Sequence, residues 1–281
     1  MTPRPATTAP ALRTLRPDAP RELHLWALRP PPSEPPSVSE LDAEERRRAA
    51  GFLRADARLV YLHAHIALRR LLSAYTGTAP ALLRLRRAPC PYCGGPHGRP
   101  VLPGPLHFSL SHSHGLVLIG VAASPVGVDV QRVPDAATVE LCLPRLHPAE
   151  RHEVVGAPED RRPRVFAELW SRKEAYLKGL GTGLGHGVGG DYLGVHANAG
   201  GHRAPDGWLV AGLHGCPDHV SALAVEATTA HRAVLHELPD RIAELPRPAA
   251  AEEIAAAEPV LSMALPAPPV PTPTPTPTHE E

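Results

Sequence analysis

Lys173 and Lys178 are the only lysines in this chain; all its other basic residues, out of 29 Lys and Arg, are arginine. Both fall in WSRKEAYLKGLGTGL (170–184). On a helix, Trp170, Glu174 and Lys178 follow at i, i+4 and i+8 and line one face, with Lys173 at its flank. A Glu→Lys pair at that spacing is a common surface feature worth roughly 0.2–0.5 kcal/mol. Three features ask for more than a surface pair. Gly179, Gly181 and Gly183 follow at once and let a backbone approach a ligand closely; a tryptophan shares the face; and an ammonium is a compact point charge suited to a phosphate oxygen.

A second acid lies in GVDVQRV (127–133). Strand alternation turns Asp129 to the face opposite Val128 and Val130, where an acid is costly unless paired or metal-bound. Pairing with Arg132 or solvent is the simpler reading of Asp129 by itself. Brought together, Asp129 and Glu174 make a hard oxygen site for Mg²⁺, which commonly takes one or two carboxylates and completes its shell with water and substrate phosphate. In HFSLSHSH (107–114), Ser111 and His112 end a strand that enters a turn. In a chain with 17 histidines a capping or surface role is the ordinary one for His112; otherwise it donates to a phosphate.

The loop CPYCGGPHG (90–98) holds Cys90, Cys93 and His97 at metal-like spacing. Zinc asks for a fourth ligand, and neither Cys142 nor Cys216 sits in a second CxxC. An incidental or redox-sensitive pair is the preferred reading, and metal analysis decides it.

The elements that must position these residues follow from periodicity. RELHLWAL (21–28) alternates as an opening strand, and PPPSEPPS (31–38) connects it onward. Apolar residues at helical spacing predict one helix over 43–53 and a longer one over 56–75. A short strand is expected at 82–87 and a Gly/Pro loop at 90–105. Two paired strands over 106–124 join around His112–Gly115, and 125–133 is a further strand. Helices are expected over 148–155 and 161–180, then closing strands in DYLGVHA (191–197), GWLVAGL (207–213) and HVSALAVEA (219–227). The order strand, helices, strands thus occurs twice, predicting an α+β fold of two similar halves meeting near residue 125, with a site between them. The expected organisation is an N-terminal tail over 1–20, halves over 21–125 and 126–240, and a Pro/Thr/Ala-rich tail over 241–281. Both tails are expected to be disordered; unchanged activity in a chain cut near Leu245 would mark the second as a spacer or solubilising end.

A formal net charge of zero argues against nucleic-acid binding by bulk charge. Between Arg46 and Arg99, however, eleven arginines meet one acid, Asp56: either a solvated face or a surface for a polyanion. No apolar run approaches the ~20 residues of a membrane span, and no signal-peptide core opens the chain, so a cytoplasmic protein is expected. Heavy use of Ala, Arg and Pro fits a GC-rich coding bias, which makes the surviving lysines the informative ones.

FSLSHS (108–113), GVDVQ (127–131) and the 170–184 segment, in this order, resemble the three signature motifs of the surfactin-type 4′-phosphopantetheinyl transferases, over about residues 22–235. The third matches W-[ST]-x-K-E-A-x-x-K-x-x-G-x-G-L at every fixed position. The resemblance implies two pseudo-symmetric halves in one chain and a monomer. It implies Mg-dependent transfer of the phosphopantetheine arm of coenzyme A to a serine of an acyl or peptidyl carrier protein, releasing 3′,5′-ADP. Asp129 and Glu174 then resemble metal ligands, with Gln131 where many members have a second acid. Glu174 resembles the base for the serine hydroxyl, and Lys178 the residue that contacts the diphosphate and protonates the leaving phosphate. Ser111 and His112 match residues on the 3′-phosphate side, and Arg99 stands for the basic residue of G-K-P. The two phosphates of 3′,5′-ADP also favour the polyanion surface, with Arg48, Arg54 and Arg58 as candidate contacts. Lys173 is fixed in the motif, with a structural ion pair as one reading. The departure at Gln131 implies weaker metal binding. The rivals are a non-catalytic module of the same fold that binds coenzyme A or a carrier protein, and an interaction protein built on the CPYC loop.

Overall fold

The computed structural model describes residues 21–32, 35–183, 187–194, 205–213 and 218–267. The expected 1–20 tail lies outside these, as do Leu184, Cys216 and residues 195–197 of the expected 191–197 strand.

Strand β1 (Glu22–Leu28) opens the chain. Helix α1 (Ala43–Ala50) starts in a capping box, with the Asp42 carboxylate accepting from the Glu45 amide and the Glu45 carboxylate accepting from the Asp42 amide, both at 2.9 Å. Helix α2 (Ala55–Thr76) stops at Gly77, whose left-handed φ of 69° ends it. Short strands β2 (Arg86–Arg87) and β3 (Pro100–Val101) form a hairpin around the CPYC loop. Strands β4 (His107–Ser113) and β5 (Leu116–Ala122) pair through a two-residue turn, His114 and Gly115, both at positive φ, as tight hairpins require.

The second part begins with β6 (Val126–Arg132), then α3 (Ala136–Cys142), α4 (Pro148–Gly156) and α5 (Arg162–Leu180). Strands β7 (Trp208–Leu213), β8 (His219–Glu226) and β9 (His231–Glu237) follow, then α6 (Arg247–Ala256) and β10 (Pro259–Leu265).

These strands make a five-stranded sheet of order β10-β9-β1-β5-β4 and a three-stranded sheet of order β6-β8-β7. Alternation decides the layers. In β1, Trp26 and Leu28 pack with Leu68, Leu71 and Leu72 of α2, while Leu23 and Leu25 face Val126, Val128 and Val130 of β6 and Leu223 and Val225 of β8. On the far face of the small sheet, Ala222 and Ala224 meet Ala175 and Tyr176 of α5. The chain is therefore layered helix, sheet, sheet, helix, and Asp129 falls on the α5 side of β6, opposite the valines, as its strand pattern predicts.

Three differences from the sequence expectation stand out. Residues 191–194 of the expected 191–197 strand form a bend rather than a strand. The strand that follows β8 is instead β9, which pairs in parallel with β1, Leu25 opposite Leu235. The expected disordered tail over 241–281 is corrected across 247–265: α6 buries Ala250 and Ile254 against α2, and β10 extends the large sheet. Burial outweighs composition there, because an Ala-rich segment with one well-placed isoleucine still packs into the core beside α2.

Candidate active site between β4, β6 and α5

The alternating serines of FSLSHS join the two sheets. Strand β6 pairs with β8 on one side only, leaving alternate amides on its other edge. The Val128 amide donates to Ser109 Oγ at 3.0 Å, the Val130 amide to Ser111 Oγ at 3.3 Å, and the Arg132 amide to Ser113 Oγ at 3.1 Å. Hydroxyls at i, i+2 and i+4 of β4 thus satisfy donors at i, i+2 and i+4 of β6. Sequence reasoning missed this role; the signal was the period-two spacing of the serines.

Helix α5 lies directly on β6 because Gly127 has no side chain. A Cβ there would sit 1.8 Å from the Ala175 carbonyl oxygen and 2.5 Å from the Gly179 nitrogen. The glycine run beyond the helix has a structural use as well: Gly181, at φ 87°, caps α5 with its amide on the Leu177 carbonyl.

This approach brings four predicted site residues together. Asp129 is buried, with 1% of its surface exposed. Its Oδ1 accepts from Lys178 Nζ at 2.6 Å and from Ser111 Oγ at 2.8 Å, and its Oδ2 accepts from Gln131 Nε2 at 3.0 Å. Lys178 also donates to Ser111 Oγ at 2.9 Å. The Ser111 hydroxyl therefore donates once and accepts twice, all within the protein. Ser171, one helical turn from Glu174, holds the Asp129 backbone carbonyl at 3.3 Å.

Glu174 joins the cluster electrostatically. Desolvation raises its carboxyl above the usual range, the charge of Asp129 raises it further, and Lys178 and a hydrogen bond from Trp170 oppose the rise. A carboxyl whose ionisation the neighbouring Asp129 opposes, beside an amide side chain with its own oxygen, fits a hard divalent cation. The residues able to hold one are Asp129, Glu174 and Gln131.

Basic side chains border this cluster. His112 lies at the surface, where the protein packed around its ring, then His65, Lys178 and Arg48, depress its protonation. Arg48 lies over the Tyr61 ring at 6.0 Å. His65, which sequence reasoning missed, stacks on Tyr61 with ring centroids 4.0 Å apart and meets Glu45 Oε1 at 3.0 Å. Arg99 Nη1 donates to the Gly179 carbonyl at 2.7 Å, one residue past Lys178, and its Nε is buried without a partner. Arg54 instead pairs with Asp56 and Arg58 stands exposed, both at the start of α2. Of the other arginines in the basic stretch, Arg69 and Arg70 serve the fold: Arg69 is wholly buried and binds Asp42, Glu45 and the Pro80 and Leu83 carbonyls, and Arg70 binds Glu40.

Lys173 points away from the cluster. It pairs with the buried Glu150 at 2.9 Å and donates to the Asp191 carbonyl. Glu150 is further satisfied by the His147 and Leu193 amides. Desolvation lowers the lysine's proton affinity and the Glu150 charge holds it up. This ion pair fixes the segment after α5 against α4.

Residues 125–206 match the family model described as the 4′-phosphopantetheinyl transferase superfamily. The chain is 27% identical over 175 residues to the 4′-phosphopantetheinyl transferase HetI of Nostoc sp., covering 58% of this chain and 70% of the relative. It is 29% identical over 90 residues to a 4′-phosphopantetheinyl transferase of Bacillus subtilis, covering 31% of this chain and 40% of the relative. It is 35% identical over 98 residues to the 4′-phosphopantetheinyl transferase psf-1 of Bacillus pumilus, covering 33% and 40%. The match thus spans less than half the length of each of these Bacillus relatives. The family model and these relatives support one enzyme class, the 4′-phosphopantetheinyl transferases.

Proposed function

We propose that this chain transfers the 4′-phosphopantetheine arm of coenzyme A to a serine of an acyl or peptidyl carrier protein and releases 3′,5′-ADP. The observation that carries the reading is the meeting of Asp129, Gln131, Ser111, Lys178 and Glu174 between β4, β6 and α5. It puts an anionic cation-binding corner beside an ammonium, which is what attack on a diphosphate needs.

In this reading the serine oxygen bonds to the β-phosphorus, the one that carries the pantetheine, and the bridging P–O bond to the nucleotide breaks. Glu174 takes the serine proton; its raised affinity for protons suits a base in a desolvated site. Lys178 leaves Asp129 and turns to the diphosphate, giving its proton to the leaving phosphate. A Mg²⁺ held by Asp129 and Glu174, with Gln131 or a water beside them, supplies charge neutralisation on the non-bridging oxygens. Arg48 and Arg99 offer positive charge for the nucleotide phosphates, with His112 as a ring N–H donor beside them and Arg54 and Arg58 as outlying contacts; Ser111 orients Asp129 and Lys178.

The surfactin-type architecture of two pseudo-symmetric halves belongs to the same proposal, with the halves divided near residue 125. It is supported by matching strand orders, β1-β5-β4 and β6-β8-β7, each an opening strand beside an antiparallel hairpin. A monomer acting in the cytoplasm completes the reading; no helix among the described residues is long and apolar enough to cross a membrane.

The test is to incubate the protein with coenzyme A, Mg²⁺ and an apo carrier protein, and to weigh the carrier. A gain of one phosphopantetheine arm, lost in Glu174→Ala, is the expected result. Coenzyme A binding without a mass gain would replace the proposal with a non-catalytic binding module.

A further inference from the structure

The hairpin β2–β3 carries a second constellation that the transferase reading does not use. In its loop, the ligating atoms of Cys90, Cys93 and His97 all lie within 4.8 Å of one another. Cys93 Sγ is 3.0 Å from His97 Nε2. Ligands on one tetrahedral zinc, with Zn–S of about 2.3 Å and Zn–N of about 2.0 Å, stand roughly 3.5–3.8 Å apart, so this cluster needs little rearrangement.

The backbone is built to bring these atoms together. The Cys90 amide donates to the Gly95 carbonyl at 2.7 Å, and the Gly94 amide returns to the Cys90 carbonyl at 2.8 Å. That tight turn presents the backbone amides of Cys93 and Tyr92 to the Cys90 sulfur, the arrangement that stabilises a metal-bound thiolate. A Cβ at Gly95 would stand 3.0 Å from His97 Cδ2 and 3.4 Å from Cys93 Sγ, so the glycine leaves room for the histidine beside the thiol. Cys90 is buried, whereas Cys93 and His97 are exposed, so the cluster opens to solvent on one side.

We propose that Cys90, Cys93 and His97 hold one Zn²⁺ with a solvent molecule as the fourth ligand, and that the ion locks the hairpin leading to Arg99. Both thiols release their protons to solvent on binding, and two thiolates balance the charge of the ion. The ligand set is thiolate and imidazole, which selects zinc over the hard cation suited to Asp129 and Glu174. The hairpin closes immediately beyond the loop, with the Ala88 amide on the Arg99 carbonyl at 3.0 Å. Arg99 then reaches the last turn of α5 through the Gly179 carbonyl. Order in the loop is therefore passed to a cation next to Lys178.

The test begins with full-length protein loaded with zinc under reducing conditions, dialysed, and analysed for metal and free thiols. About one zinc per chain is expected, falling at least tenfold in Cys93→Ser and in His97→Ala and unchanged in Cys142→Ser. Replacement by Co²⁺ should give a sulfur-to-cobalt charge-transfer band, absent from Cys93→Ser. Stripping the zinc should speed trypsin cleavage after Arg86 and Arg87 several-fold. Zinc below a tenth of an equivalent, a Cys90–Cys93 disulfide under these conditions, or a cobalt band that survives Cys93→Ser would overturn the site. Unchanged trypsin cleavage would overturn the locking role. Each of these readouts is independent of carrier modification, so failure here and failure of the transferase reading are separate results.

Discussion

Lys178 Nζ and Asp129 Oδ1 stand 2.6 Å apart, with the Ser111 hydroxyl bonded to both. The cation that would meet a phosphate and the anion that would meet a metal here neutralise each other. In the proposed reaction, substrate and metal together would replace one internal ion pair with two external ones, leaving neither charge uncompensated in the buried corner. Lys178→Met breaks the exchange. Losing one partner of a buried pair costs about 3–5 kcal/mol; Lys178 is 29% exposed and Asp129 keeps Ser111 and Gln131, so the expected loss is about 1–3 kcal/mol. Thermal denaturation measures it. Added Mg²⁺ should stabilise the variant more than the parent, while transfer falls on the order of a hundredfold.

Glu174 sets a pH dependence whose sign follows from its environment. Desolvation and then Asp129 raise its carboxyl above the ordinary value of 4.5. Between that value and the raised one, the folded chain holds more protons than the unfolded chain, so stability falls as pH rises through this window. Glu174→Gln removes the effect. Without divalent cations, the variant should be the more stable protein at neutral pH, and its advantage should disappear below pH 4.5. Denaturant titrations across this range provide the check; an advantage that does not change with pH would refute the assignment.

Gln131 spends its amide hydrogens on Asp129 Oδ2 at 3.0 Å. Gln131→Glu replaces that bond with a repulsion between carboxylates, which a divalent ion relieves. The expected outcome is lower stability in chelator and tighter Mg²⁺ binding, by about tenfold, as read by calorimetric titration. Unchanged Mg²⁺ affinity would count against a metal position shared with Asp129.

The segment after residue 245 is expected to carry stability. Ile254 of α6 is 1% exposed and Leu265 of β10 is 3% exposed, and Arg247 meets the buried Glu40 at 2.9 Å. Removing a buried isoleucine or leucine side chain costs about 2–5 kcal/mol, so a chain ending at Leu245 should lose more than about 4 kcal/mol. Its melting temperature should drop by roughly 10 °C or more. Ile254→Ala provides the milder comparison.

The candidate site residues were more legible in the sequence than the contacts that hold them. Asp129 was readable because a period of two sets one acid against two valines, and Glu174 and Lys178 because i, i+4 spacing puts them on one helical face. Ser109 and Ser113 signalled less: their period-two spacing puts them on one face of the strand, but it does not show that their partners are backbone amides 19 residues further on. The mutual bond of Lys178 and Asp129 was hidden for a related reason, since the sequence suggested a phosphate for one and a metal for the other. Strand β9 was missed because HRAVLHE lacks clean alternation. What makes it a strand is β1, some 200 positions earlier. Residues 247–265 were misjudged on composition, although RPAAAEEIAAA combines an early proline with strong helix formers.

The parallel pairing of β1 with β9, Glu22 opposite Arg232 and Trp26 opposite His236, has a consequence for biosynthesis. As the nascent chain leaves the ribosome, β1 emerges first and waits for most of the polypeptide before its outer neighbour arrives. Until then Trp26 lacks the His236 ring that stacks on it at 4.4 Å, and the strand's unpaired backbone invites association with other chains. Slow translation between these two segments, or a premature stop before residue 231, should therefore yield insoluble protein rather than a shorter working enzyme.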